Sequence, residues 1–139
     1  MKQNARLLRE LKEQRLGQFL PNQPAVERTR SKHPLILRKG EKRKTVFAEI
    51  HAAAQYNGST FDDPLENIVR QYDQHADAIV LVTDDILFKG ELGWVARVAP
   101  LTQKPIIVLD LFVSESQIRQ VHAMGADAVV LIASILDPK

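Results

Sequence analysis

Two stretches of this sequence repeat one another: HADAIVLV at 75–82 and GADAVVLI at 125–132. In each, an Ala-Asp-Ala step leads out of a helical segment into an unbroken apolar run. A run without polar alternation fits a strand buried on both faces, as in a parallel sheet covered by helices. Two more runs, TVFAEI at 45–50 and PIIVLDL at 105–111, read the same way. Helical segments fill the intervals. Asp63 is a good N-cap with Pro64 at the first helical position, and Leu65, Ile68, Val69 and Tyr72 share one face up to about His75. Residues 91–99 form a short helix with Leu92, Val95 and Val98 inward. Ser114 and Gln117 have capping-box spacing, and that helix ends before Gly125. Strand–helix three times and then a strand calls for parallel strands with right-handed crossovers. The internal repeat favours a segment of a (β/α)8 TIM barrel. Its rival, an open doubly wound sheet, usually carries a glycine-rich phosphate loop after its first strand, and no G-x-G-x-x-G occurs here.

The expected fold is therefore α/β: half of a (β/α)8 barrel with four parallel strands, flanking helices and an N-terminal helix. The extra helix comes from residues 4–16, where Leu7, Leu8, Leu11 and Leu16 lie near helical spacing among charged residues. Pro21 and Pro24 end it. Two regions follow: a basic arm at 1–44 and a half-barrel at 45–139. The arm holds 13 Lys/Arg against 4 Asp/Glu, net +9, and the remainder 6 against 13, net −7. Such an arm suits nucleic acid, a small anionic ligand, its own acidic body or a second copy. With Phe19 as its only aromatic residue, it lacks the stacking platforms of single-strand binders, so nucleic acid is disfavoured. The chain has no cysteine, no apolar run long enough for a membrane span and no secretory leader, which suits the cytoplasm.

At this point the residues resemble a known family, the indole-3-glycerol-phosphate synthases. The first strand of that family ends in a motif like Ala-Glu-x-Lys; here it is Ala48-Glu49-Ile50-His51. The Asp-Pro that leads the next helix is kept as Asp63-Pro64, behind a degraded loop, AAAQYNG. Val82-Thr83-Asp84-Asp85-Ile86-Leu87-Phe88-Lys89-Gly90-Glu91 follows the family pattern after the second strand. Pro105-Ile106-Ile107-Val108-Leu109-Asp110-Leu111 and Ser116-Gln117-Ile118 follow it around the third, and residues 125–133 around the fourth. The resemblance covers residues 46–136 in register, and the leader helix fits loosely.

The resemblance implies a lyase that closes an indole ring from a carboxylated anilino sugar phosphate, losing carbon dioxide and water. Such chemistry needs an ammonium to polarise a carbonyl and expel a hydroxyl, and a carboxylate for the opposite proton. The family places lysines at the ends of the first and third strands, and this sequence has His51 and Leu109 there. Histidine can act as an acid near neutral pH; leucine cannot donate a proton. Glu49, His51 and Asp110 are the remnant site positions. Two of them also have a plainer reading: Glu49 as the partner of a basic residue, His51 as a surface histidine. Asp84-Asp85 reads as a polar turn more readily than as a divalent-ion site, Phe88 and Trp94 as packing residues, and Asp127 as a turn or cap. His33, His75 and His122 show no metal spacing, so no metal or cofactor is expected.

Four strands cannot close a barrel, so the edges of the first and fourth are expected to lie open. A homodimer of half-barrels, or a separate second-half chain, would cover them; the basic arm is the alternative cover in cis. The expected function is a degenerate synthase-like half-barrel without synthase activity that self-associates and binds a ligand or partner. The alternative is an active synthase completed by a second copy or a second-half chain. A truncated enzyme is a third reading, which the lost lysines disfavour.

Overall fold

The computed structural model of the chain describes residues 2–16, 35, 44–52 and 64–136. Asp63, the degraded loop and most of the arm beyond its first helix lie outside the described residues. The elements run α1 (Lys2–Leu16), β1 (Phe47–Ile50), α2 (Leu65–His75), β2 (Ala78–Val82), α3 (Trp94–Val98), a 3₁₀ turn (Ala99–Leu101), β3 (Ile106–Leu109), α4 (Glu115–Ala123), β4 (Ala128–Val130) and a second 3₁₀ turn (Ala133–Ile135). The strands form one parallel sheet in the order β1-β2-β3-β4, with helices between them. This is the expected α/β architecture, consistent with part of a (β/α)8 barrel.

The register explains why the runs carry apolar residues at every position. Ile50, Ile79, Leu81, Ile106 and Val108 share one core with Ile68 and Val69 of α2, Val95 and Val98 of α3, and Val121 of α4. Ala78, Val80 and Ile107 form a second cluster on the opposite face of the sheet, with Leu109 and Ala128 against it. Every residue of β2 is buried. The outer strands differ from the expectation of burial on both faces: Phe47 in β1 is 43% exposed, Val130 in β4 is exposed, and so are the flanking Val46 and Leu131. Among the described residues each outer strand has one strand neighbour, which leaves the backbone groups of its other edge outside the sheet's pairing.

The repeated Ala-Asp-Ala step is a strand clamp. Asp77 donates its N–H to the Val46 carbonyl at 2.7 Å, and its Oδ2 accepts the Val46 N–H at 2.9 Å. Asp127 does the same two βα units later, with Ile106 at 2.8 Å in both directions. Each aspartate thus starts its own strand and satisfies the first backbone groups of the strand beside it. Asp127 is the turn residue expected.

Helix ends follow local chemistry. The Gln117 side-chain oxygen accepts the N–H groups of Ser114 at 3.0 Å and Val113 at 2.8 Å, completing the capping box. At the other end of α4, Gly125 adopts φ 110. Its N–H reaches the His122 carbonyl and that of Ala126 reaches Val121, both at 3.0 Å, a Schellman closure that favours glycine. Pro64 differs from expectation by one position. Its ψ of 139 is extended, so it precedes the helix, and its carbonyl accepts the Asn67 N–H at 2.9 Å.

Candidate functional site at the strand ends

The apolar runs of β2 and β3 give way to polar residues where the strands leave the sheet, the end at which (β/α)8 barrels build their sites. Asp110, just beyond β3, is buried. Its Oδ2 accepts the Thr83 hydroxyl at 2.7 Å and its Oδ1 accepts the Leu111 N–H at 2.6 Å. Asp84, beyond β2, is also buried; its Oδ2 accepts the Leu87 N–H at 2.7 Å and its carbonyl accepts the Gly90 N–H at 2.8 Å. This folds residues 84–90 back onto their own strand. A Cβ on Gly90 would stand 2.4 Å from the Val82 carbonyl oxygen and 2.6 Å from the Thr83 carbonyl carbon. Lys89, beside it, takes a left-handed φ of 52. Asp84-Asp85 thus serves the polar turn expected, and Trp94 packs against the core.

Into this turn cluster reaches a residue from the other end of the chain. Lys12 of α1 is 1% exposed. Its Nζ pairs with Asp110 and lies 3.3 Å from Asp84 Oδ1 and 3.9 Å from Asp85 Oδ1. One turn further along, Arg15 pairs with Asp85. The helix also packs against the 3₁₀ turn after β4, so α1 lies over the strand ends. Its leucines face differently from a simple amphipathic reading: Leu7 is 56% and Leu11 38% exposed. The docking stripe is Leu8, Lys12 and Leu16, spaced i, i+4, i+8, with a lysine where an apolar residue is usual.

The predicted site residues fall into two groups. Glu49 and His51 stand together at the end of β1, with Nε2 3.9 Å from Oε1, and both are partly exposed. Asp110 is two strands away, in the Lys12 cluster. Leu109 packs against the apolar cluster of Ala78, Val80 and Ile107. Reading the sequence for strand-end motifs alone missed Lys12. The signal was present in the helical stripe, which the lysine interrupts between Leu8 and Leu16.

Among the described residues Lys12 is the one buried cation, and three carboxylates surround it. An ammonium so paired is held in place and its charge is offset, which suits a lock better than a donor poised for a substrate carbonyl. Among the described residues no group of three or more His, Cys, Asp or Glu could hold a metal ion, and no helix is long and apolar enough to cross a membrane.

Comparisons with known proteins agree on one kinship. The family model for indole-3-glycerol phosphate synthase matches residues 1–139. The indole-3-glycerol phosphate synthase of Lachnospira eligens is 32% identical over 114 residues, 81% of this chain and 42% of that protein. That of Caldanaerobacter subterraneus subsp. tengcongensis is 36% identical over 96 residues, 68% of this chain and 38% of that protein. That of Petrotoga mobilis is 36% identical over 97 residues, with the same two shares. The chain therefore spans about two fifths of the length of the curated relatives it matches. With parallel strands in the expected order and a family match along its whole length, this chain belongs to the indole-3-glycerol phosphate synthase family.

Proposed function

We propose that this chain is a synthase-family scaffold that does not close the indole ring, and that it pairs with a second copy through its open sheet edges. One observation carries the first part. The buried ammonium at the strand ends, that of Lys12, comes from α1 and is held by Asp84, Asp85 and Asp110, while the strand-end positions resembling the family's lysines are His51 and Leu109. A reaction that expels hydroxide from a ring-closing carbon needs a proton donor aimed at substrate. Leu109 supplies none, and the carboxylates hold Lys12. Support for pairing comes from the exposed apolar residues at both outer strands, Val46 and Phe47 at β1 and Val130 and Leu131 at β4. Unpaired strand edges of this kind are surfaces proteins normally cover.

The test is to incubate the purified chain with the carboxylated anilino sugar phosphate and follow indole fluorescence across a range of protein concentrations. No signal above a protein-free control is expected at any concentration. A rate rising with the square of concentration would instead support a synthase completed by a second copy. Sedimentation of the same samples should show a dimer, and a monomer at the highest concentration would sink the pairing.

A further inference from the structure

We infer that α1 is an ion-locked plug over the strand ends, shut by Lys12 and Arg15 and able to leave while the half-barrel stays folded. The contacts on the two sides of this interface differ in kind. On the half-barrel side, Asp84 and Asp110 are held by their own turns, through Leu87 N–H, Leu111 N–H and the Thr83 hydroxyl. Those bonds do not involve α1, so the acidic cradle keeps its shape when the helix departs.

On the α1 side, the residue that enters the cradle is charged. Leu7 and Leu11 stay exposed and add little to docking. Arg6–Glu10 and Arg9–Glu13, both at 2.8 Å, tie the helix to itself. A 15-residue helix is marginal by itself in water, so the order of α1 depends on that dock.

The plug controls access to the cradle. Any guest that reaches Asp84 and Asp110 from the strand-end side must first displace the Lys12 ammonium. With Lys12 withdrawn, the exposed surface is acidic at Asp84, Asp85 and Asp110, the reverse of what a sugar phosphate would need. The gate therefore guards an anionic surface.

Hydrogen exchange on the full-length chain tests this. In the wild type, the amides of the second half of α1 should be protected well beyond an undocked helix. Lys12→Met should lower that protection at least about tenfold, a free-energy change of roughly 1.4 kcal/mol. The amides of Leu81 and Val108, in β2 and β3, report global unfolding, so they should be protected at least about tenfold beyond those of α1 in the wild type and stay ahead of them in the variant, by the same scale. Arg15→Gln changes an exposed residue and should fold in any case; it should lower α1 protection severalfold, as should high salt on the wild type. Unchanged α1 protection in Arg15→Gln and in high salt would overturn the inference, showing apolar packing to hold the helix. So would α1 amides as strongly protected as those of β2 and β3 in the wild type, which would make α1 part of one cooperative core. If Lys12→Met fails to fold, α1 is integral to the fold and the plug is refuted.

Discussion

Replacing Lys12 by methionine removes a charge while keeping most of the buried alkyl stem. Methionine fills nearly the same space, so the packing loss is small. The electrostatic loss is larger, because Asp84 and Asp110 are buried beside the ammonium. Stripping the partner from a buried ion pair typically costs about 3–5 kcal/mol. Two features of the structure lower that figure. Each carboxylate keeps hydrogen bonds from its own turn, and an undocked α1 would let water reach both. The expected loss is therefore about 2–3 kcal/mol, a large part of a typical total of roughly 5–15 kcal/mol. Urea denaturation followed by fluorescence is a suitable assay, since Trp94, the chain's one tryptophan, packs against the half-barrel core. A double-mutant cycle sharpens it: adding Asp110→Asn to Lys12→Met removes one stranded charge and should recover at least about 1 kcal/mol. A Lys12→Met chain within about 0.5 kcal/mol of the wild type, or strict additivity in the cycle, would refute the assigned role of Lys12.

Other perturbations probe the scaffold. Asp127→Ala leaves the buried Ile106 N–H without its carboxylate, and chemical denaturation should show a loss of about 1–3 kcal/mol. Gly90→Ala forces a Cβ against the Val82 carbonyl, so the turn at 84–90 must shift; a lower melting temperature and altered α1 protection should appear together. Glu66 is held below the usual carboxylate range by its hydrogen bond from Arg97, which joins α2 to α3 at 2.9 Å. A lowered carboxylate contributes stability that is present above its unfolded value, about 4.3, and is lost as the pH falls through the folded one. The melting-temperature difference between wild type and Glu66→Gln should therefore be small but present at neutral pH and vanish in acid.

The scaffold was legible in the sequence because its signals are local. An apolar run, an N-cap and the Ala-Asp-Ala step each act within a few residues, and β2, β3, α4 and the Gly125 closure followed from them. The exposure of Phe47 and Val130 depends on neighbours across the sheet, which no local run encodes. The site was half legible. Glu49, His51 and Asp110 sit at strand ends as their motifs implied. Asp110 and Lys12, however, lie 98 positions apart in the chain, and only the fold brings them into one ion pair. Charge counting pointed to a basic arm over an acidic body without naming the lysine that enters it.

At the strand ends of this chain an ion-paired cluster joins Lys12 to Asp84, Asp85 and Asp110, and the proposal is that such a chain does not close the indole ring. Indole formation from the anilino sugar phosphate, measured side by side for the wild type and for Lys12→Met, tests it most directly. Neither is expected to exceed the protein-free control, because Leu109 stands at the end of β3 where the family resemblance implies a lysine, and leucine cannot donate a proton. Turnover by the wild type, or turnover that appears when Lys12 is removed, would contradict it.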